Sequence, residues 1–281
     1  MIPYVGGKSA LTDWIIGTFP EHRAFVEVFG GAGWVTLAKS PSDVEVYNDI
    51  DDALINLFRV VRDTQKSKEF LRRAKWMLHS RAEQLTMRKI YQDDTAKDDI
   101  DKALAFAYYM TCSRSGKRKG MSFKLNKSDN ATAPASWQSF LRRIVETRNR
   151  LRPVIIESLD YADLVMRYDS PDTLYYLDPP YIKSDYYYCV NWKSADHERL
   201  AGVLRNIKGK FVLSYYDGAY VRSLYPGSHF LTKESVVKVW HSHGGDGSET
   251  KPRSTELLIT NFQPMVGGQL TIEHYMSEVQ R

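Results

Sequence analysis

The stretch TLYYLDPPY, Thr173–Tyr181, decides the fold of this chain. Its first half is rich in β-branched, aromatic and aliphatic residues, which predicts a short buried strand. Asp178, Pro179 and Pro180 cannot extend that strand, because proline lacks a backbone N–H and has a fixed φ. In an open α/β sheet, ligands bind in the crevice beyond the carboxyl ends of the strands. We therefore expect the turn after Leu177 to form part of a binding site.

This turn combines an acceptor carboxylate, a rigid carbonyl and an aromatic face. The Asp178 carboxylate and the Pro179 carbonyl can each accept one hydrogen of an exocyclic amine, and the Tyr181 ring can stack on a flat ring system. Two such acceptors would localise the nitrogen lone pair, which is electrostatic preorganisation of a poor nucleophile. Asp178, Pro179, Pro180 and Tyr181 are therefore candidate catalytic residues. The alternative is an ordinary surface turn.

A second strand and turn are predicted at FVEVFGGAG, Phe25–Gly33. An apolar run broken by Glu27 leads into three glycines within four residues, and a helical pattern follows. Glycine permits positive φ and close approach of the backbone to a ligand. The candidate cofactor-binding residues of this strand and turn are Glu27, Phe29 and Gly31. Neither G-x-G-x-x-G nor a P-loop motif occurs, which disfavours dinucleotide and triphosphate cofactors.

Asp49 ends the next predicted strand, Val44 to Tyr47. A carboxylate at the end of the second strand of such a unit is well placed to bind ribose hydroxyls. We therefore predict Asp49 as a cofactor ligand. Capping of the following helix is its alternative role.

Positive charge is concentrated in the middle of the chain. Residues 59–152 hold 23 Lys and Arg against 10 Asp and Glu, whereas the rest of the chain is net acidic. Within this block Cys112–Lys127 reads as a basic loop or hairpin. A polyanion contact through Arg114, Lys117, Arg118, Lys119 and Lys124 is the functional interpretation, and a solvated loop is the alternative. A guanidinium at Arg114 could also contact a guanine edge.

Four motifs stand in the order of a known family: PYVGGK at Pro3–Lys8, FVEVFGGAG, YND at Tyr47–Asp49, and DPPY at Asp178–Tyr181. The chain resembles the DNA adenine methyltransferase family (Dam-like, D12 class) of S-adenosylmethionine-dependent amino-methyltransferases. The resemblance implies that Tyr4, Lys8 and Asp178 help to hold S-adenosylmethionine. It also implies that Asp160 and Tyr161 flank the cofactor's adenine, and that the basic segment lies beside the target base and the DNA backbone.

The predicted fold is α/β, with a doubly wound Rossmann-like methyltransferase sheet and an inserted, mostly helical DNA-recognition domain. Strands are expected near residues 26, 45, 155, 175 and 212, and a terminal hairpin pairs residues 236–240 with 256–262. Helical periodicity covers residues 54–70, 97–110 and 136–152. We assign residues 1–58 and 150–281 to the catalytic domain and residues 59–149 to the target-recognition insert.

The predicted function is methylation of the N6 amine of adenine in double-stranded DNA, on a flipped-out base. Methylation of cytosine N4, methylation of RNA, and a non-catalytic nucleic-acid-binding role stay open as alternatives. No metal site is expected, because His241 and His243 lack a third ligand. A cytoplasmic protein of a bacterial or phage-infected cell is expected, without a membrane segment. A cognate restriction endonuclease and the oligomeric state are open.

Overall fold

The computed structural model describes residue 8, residues 10–113, residue 123, and residues 133–181, 192–236 and 253–264. These residues form one seven-stranded sheet covered by helices. The strands are β1 (Ala24–Glu27), β2 (Val44–Asn48), β3 (Ile155–Glu157), β4 (Thr173–Leu177), β5 (Lys210–Tyr216), β6 (His229–Val236) and β7 (Arg253–Thr260). The helices are α1 (Thr12–Ile16), α2 (Trp34–Ala38), α3 (Asp52–Arg62), α4 (Thr64–Ala74), α5 (Arg81–Gln92), α6 (Asp99–Cys112), α7 (Ala133–Leu151), α8 (Tyr161–Tyr168), α9 (Ser194–Leu204) and α10 (Ala219–Leu224).

The strand order in the sheet is β3-β2-β1-β4-β5-β7-β6. The first five strands run parallel to one another, and β7 lies antiparallel between β5 and β6. The chain moves outward from β1 to β2 and β3 and then returns to β4, on the other side of β1. In a doubly wound sheet the ligand crevice lies where the order reverses, here at the carboxyl ends of β1 and β4. The predicted α/β fold with a mostly parallel sheet is confirmed.

The central strand β4 is buried on both faces, as expected for a parallel strand covered by helices. Leu174 and Tyr176 pack with residues of α1 and α2. Tyr175 and Leu177 pack on the other face with residues of α8 and α9. Because β4 is packed on both faces, the position of the turn that follows it is fixed.

Helices α3 to α7 form a helical segment between β2 and β3. Its core includes Tyr47 of β2 and Val154, which precedes β3, so the helices pack directly on one side of the sheet. Side-chain oxygens satisfy N–H groups at the first turn of four of these helices: Asp51 on α3, Asp63 on α4, Ser80 on α5 and Asp98 on α6. The domain boundaries near residues 58 and 150, and a DNA-recognition role for this segment, stay predictions.

Three sequence predictions need correction. The helical periodicity over residues 54–70 spans two helices, because Asp63 ends α3 and its carboxylate caps α4. Helix α5 was not predicted. The strand that pairs with β7 covers residues 229–236 and so lies before the predicted 236–240; residues 237–250 lie outside the described part of the chain.

Among the described residues, no helix is both long enough and apolar enough to cross a membrane.

We predict that Gly30→Ala destabilises the fold, because a Cβ there would lie 2.1 Å from Cε2 of the Tyr47 ring. Tyr47 is fully buried, so accommodating the methyl group requires repacking and should cost about 1–3 kcal/mol of unfolding free energy. Gly202→Ala in α9 is the matched control, since a Cβ there meets nothing within 4 Å and helical alanine should add about 1 kcal/mol. Denaturant unfolding curves measure both changes. Equal stabilities for the two variants would contradict the prediction.

Candidate active site

Asp178–Tyr181 leave the sheet between the carboxyl ends of β1 and β5, the two neighbours of β4. The side chain of Asp178 keeps 17% of its surface exposed. Pro179, Pro180 and Tyr181 are buried. The turn therefore presents the Asp178 carboxyl group at the crevice, on a base of buried residues.

A buried cluster of polar groups surrounds this carboxyl group. The Lys8 ammonium Nζ lies 3.3 Å from Oδ1 of Asp178 and 3.4 Å from Oε2 of Glu256, in β7. The Tyr181 hydroxyl donates to Oε2 of Glu256 at 3.0 Å and lies 3.0 Å from the Ser214 hydroxyl. Lys8 also hydrogen-bonds the Tyr181 hydroxyl. One cation therefore bridges two carboxylates next to the predicted catalytic turn.

The pKa values in this cluster follow from burial and from the bridge. Burial raises the pKa of Asp178 to about 6; Lys8 opposes this shift and the Glu256 carboxylate adds to it. Burial lowers the pKa of Lys8, but the Asp178 and Glu256 carboxylates outweigh burial and raise it above its usual value. Lys8 is therefore charged at neutral pH, and Asp178 changes its charge close to the physiological range.

The Tyr181 ring is enclosed by other side chains. Lys8 Nζ lies over the ring, 4.3 Å from its centroid. Tyr216 meets it edge-on at 4.5 Å, and the Tyr215 ring lies 5.5 Å away. The ring face covered by Lys8 can stack on a flat ligand only if the ammonium moves.

Two side-chain hydrogen bonds, besides the backbone bond from Gly30 N–H to the Asn48 carbonyl, tie the glycine turn after β1 to the end of β2. Gly31, at φ 51°, donates its N–H to Oδ2 of Asp49 at 2.8 Å, and its carbonyl accepts from the Tyr47 hydroxyl at 2.6 Å. The other Asp49 oxygen accepts the N–H of Asp51 at 2.9 Å. The N-cap of α3 is Asp51, so helix capping as the alternative role for Asp49 is wrong.

A pocket opens beside this turn at the carboxyl ends of β1, β2 and β3. Three aromatic rings form one wall: Phe29 lies 5.7 Å from Tyr161 and 5.3 Å from Trp192. Asp49 and Asp160 contribute carboxylates. The lining residues are Val28, Phe29, Asn48, Asp49, Ile50, Leu159, Asp160, Tyr161, Trp192, Asp196 and Arg199. An apolar cleft with a few acidic groups suits a ligand that has a flat ring and several hydroxyl or amino groups.

Asp160 has protein partners inside this pocket. It caps α8 through the Ala162 N–H and forms an ion pair with Arg199 at 2.7 Å. Burial raises the pKa of Asp160, but these hydrogen bonds outweigh burial and hold the pKa below its usual value. The Arg199 guanidinium also lies 4.7 Å from the centroid of the Tyr161 ring. Arg199 therefore orients both residues that the family resemblance assigns to the cofactor's adenine.

Two hydrogen bonds run from the pocket wall to Tyr215, whose ring lies 5.5 Å from the Tyr181 ring of the Asp178–Tyr181 turn. Trp192 donates its indole N–H to Nδ1 of His197 at 3.1 Å, and the Tyr215 hydroxyl lies 2.7 Å from the same nitrogen. Because indole can only donate, Nδ1 of His197 is the acceptor. Trp192 also belongs to the pocket wall, beside Phe29 and Tyr161.

Glu27 faces α2. Its Oε2 accepts the Thr36 N–H at 3.0 Å and the Thr36 hydroxyl. Burial raises the pKa of the Glu27 carboxyl to about 8, although the bonds from Thr36 oppose the shift, so the group is protonated at neutral pH. These contacts assign Glu27 a structural role. Its predicted role in binding a cofactor stays a prediction.

Several predicted site residues lie outside the described part of the chain: Tyr4, Arg114, Lys117, Arg118, Lys119 and Lys124. Phe123 is described, with its ring stacked on His79 at 4.4 Å and the Arg81 guanidinium 5.4 Å from its centroid. These contacts attach one residue of the basic segment to the start of α5.

The sequence model of one protein family matches most of this chain. The sequence model described as D12 class N6 adenine-specific DNA methyltransferase matches residues 4–239. The chain belongs to this family. The match confirms the prediction of an enzyme, an adenine-specific DNA methyltransferase. A search of curated proteins found none that matches the chain.

Sequence reasoning missed three polar residues of this methyltransferase: Glu256, His197 and Arg199. Glu256 had a signal, because a carboxylate at the head of the apolar run ELLI in a strand is unusual. His197 and Arg199 had none, since both lie in an ordinary amphipathic helix. Only the packing of α9 against the pocket reveals their contacts.

Proposed function

We propose that this protein binds S-adenosylmethionine at the carboxyl edge of its sheet. It transfers the methyl group to the exocyclic N6 amine of an adenine flipped out of double-stranded DNA. One observation supports the proposal most directly. The Asp178 carboxyl follows β4 and the pocket around Asp49 follows β1 and β2, so the two features lie on either side of the point where the strand order reverses. The family match supports adenine in DNA as the target.

The pocket residues fit S-adenosylmethionine. The rings of Phe29, Tyr161 and Trp192 offer apolar surface for an adenine ring, and Asp49 offers a carboxylate for the ribose hydroxyls. The turn at Gly31 lets the backbone approach a ligand closely. When bound, S-adenosylmethionine supplies a methyl group on a sulfonium that is already activated.

In the proposed mechanism the turn holds the amine in a reactive geometry. The Asp178 carboxylate and the Pro179 carbonyl accept the two amine hydrogens, which localises the nitrogen lone pair toward the methyl group. With S-adenosylmethionine bound, the new N–C bond would form as the methyl–sulfur bond breaks, and the electron pair of that broken bond would stay on sulfur. The methylated amine then loses one proton. We propose the Asp178 carboxylate as its acceptor, since it already accepts a hydrogen bond from the amine. Lys8 holds that carboxylate in place.

The target base must leave the duplex, because N6 of a stacked and paired adenine cannot reach Asp178. Stacking of the flipped base on the Tyr181 ring face that Lys8 covers requires Lys8 to leave that face. Pyramidalisation of the amine needs the Asp178 carboxylate and the Pro179 carbonyl but does not need the Tyr181 ring. Base stacking and amine activation are therefore separable in this site.

The proposed DNA-binding surface is the basic segment around Lys117–Lys119. In the described part of the helical segment several cations already have anionic partners. Lys66 pairs with Asp99, Arg72 with Glu69, and Lys102 with Asp94. These pairs reduce the positive charge that α4 and α6 offer to DNA. Arg150 of α7 likewise pairs with Glu45.

A methyl-transfer assay discriminates among the alternatives. Tritiated S-adenosylmethionine is incubated with unmethylated DNA or RNA, and the products are digested and identified by mass spectrometry. N6-methyladenine in DNA is the expected product. N4-methylcytosine, methylated RNA alone, or no product would each support one of the other interpretations.

We predict that Asp178→Asn slows methyl transfer by roughly 10²–10³-fold, because one preorganised charged acceptor is lost. In the wild type, the rate should fall as the pH drops through about 6, since a protonated Asp178 no longer accepts as a carboxylate. Single-turnover rates from pH 5 to 8 measure both effects. Asp172→Asn, exposed just before β4, is the matched control and should keep the wild-type rate. Near-normal turnover of a folded Asp178→Asn variant contradicts the mechanism.

We predict that Asp49→Ala weakens S-adenosylmethionine binding more than DNA binding, because a carboxylate on ribose hydroxyls contributes about 1.5–3 kcal/mol. Titration calorimetry measures cofactor affinity. Asp52→Ala is the control, since this neighbouring carboxylate is exposed and outside the pocket lining. Unchanged cofactor affinity in a folded Asp49→Ala protein would restrict Asp49 to holding the Gly31 turn.

We predict that replacing Lys117, Arg118 and Lys119 together by Gln weakens binding to every DNA sequence. The slope of log affinity against log salt should become shallower by roughly 0.9 per lost phosphate contact. The control replaces Lys66, Arg72 and Lys102, whose ion pairs predict little change in slope. Fluorescence anisotropy at several salt concentrations measures both variants. A wild-type slope in the first variant would place the DNA-binding surface elsewhere.

A further inference from the structure

Glu256 is a charged residue inside an apolar strand. It is 5% exposed, and Leu257, Leu258 and Ile259, which follow it in β7, are fully buried. Its neighbours in the sheet are Tyr216 of β5 and Lys233 of β6. Burying a carboxylate is costly unless a cation or hydrogen-bond donors compensate it. We therefore expect Glu256 to have compensating partners.

The contacts of Glu256 supply these partners. Its Oε2 accepts the Tyr181 hydroxyl at 3.0 Å and lies 3.4 Å from the Lys8 ammonium. Lys8 lies at almost the same distance, 3.3 Å, from Asp178. The ammonium is therefore shared between two carboxylates, and neither holds it alone.

We infer that Glu256 is a positioning residue for methyl transfer, which holds Lys8 and the Tyr181 hydroxyl beside Asp178 and keeps the ammonium from pairing with Asp178 alone. This inference rests on the proposed function. An Asp178 carboxylate paired only with Lys8 would be a weaker acceptor for the amine, because the cation would satisfy more of its charge. Glu256 draws part of that interaction to itself, and the exposed side of Asp178 stays available to the base.

The charged and titratable groups facing this site come from every element packed on the turn. They are Lys8 before α1, Glu27 of β1, Tyr176 of β4, Tyr181 of the turn, Tyr215 and Tyr216 of β5, and Glu256 of β7. Glu27 is neutral at neutral pH, so the Lys8 cation and the Glu256 anion are the charges that Asp178 senses most strongly. Glu256 raises the pKa of Asp178 and Lys8 lowers it. Neutralising Glu256 must therefore lower the pKa of Asp178.

Two readouts on Glu256→Gln test the inference. The single-turnover rate with saturating S-adenosylmethionine and DNA should fall roughly tenfold to a hundredfold, as expected when reacting groups lose their alignment. In protein carrying ¹³C-labelled aspartate carboxyls, the Asp178 signal, assigned with Asp178→Asn, should titrate about one pH unit lower than in the wild type. Glu256→Asp retains the charge and should restore part of the rate and most of the pKa.

Glu234→Gln, an exposed carboxylate on the neighbouring strand β6, is the matched control and should leave both readouts unchanged. A folded Glu256→Gln protein with the wild-type rate overturns the inference. So does a slower rate with an unshifted Asp178 pKa, because a purely structural role predicts that combination. If Glu256→Gln does not fold, Glu256→Asp decides: a rate below the wild type together with a lowered Asp178 pKa supports the inference, and wild-type values of both overturn it.

The NMR titration needs no enzymatic activity. A wild-type protein that transfers no methyl group to DNA therefore refutes the proposed function. An Asp178 pKa that Glu256→Gln leaves unchanged refutes the inference. The two failures are distinguishable.

Discussion

One buried ammonium group, that of Lys8, joins parts of the candidate active site that lie far apart in the sequence. Lys8 precedes α1, Asp178 follows β4 and Glu256 lies in β7, so a single cation connects residues 248 positions apart. Two buried carboxylates this close together would repel each other without such a cation. The antiparallel insertion of β7 next to β5 brings Glu256 within reach. The charge balance around Asp178 therefore depends on the strand order of the sheet.

The two halves of the site use different chemistry. Around Asp178 the groups are charged, buried and held by one another. The pocket beside Asp49 is aromatic, with carboxylates held by backbone N–H groups and by Arg199. The link between them is neutral: Trp192, His197 and Tyr215 form a hydrogen-bonded chain that ends against the Tyr181 ring. The pocket wall at Trp192 is therefore connected to the turn by packing and hydrogen bonds among uncharged groups.

Local sequence patterns predicted the features that short-range backbone conformation determines, such as the end of β4 and the glycine turn after β1. Pro179 and Pro180 end β4 in any tertiary context, and the glycines after β1 define a turn for the same reason. The break between α3 and α4 was missed, because the apolar periodicity continues through Asp63. The Lys8 and Glu256 contacts were also missed, since no periodicity encodes a partner 248 positions away. The capping alternative for Asp49 was wrong because the sequence offers Asp51 as well, and only the backbone geometry chooses between them.

Tyr47 explains how the helical segment is coupled to the cofactor side of the site. Its ring packs edge-on against Phe58 of α3 at 4.7 Å, within the core that α3, α6 and α7 share. Its hydroxyl donates to the Gly31 carbonyl, and Gly31 in turn donates its N–H to Asp49. The close fit of the ring against Gly30 leaves no room for a side chain there. A movement of α3 would therefore shift Tyr47, and through it the glycine turn. Closely packed interiors transmit displacement between neighbours, so α3 and the turn proposed to contact the cofactor share a mechanical connection through the Tyr47 side chain.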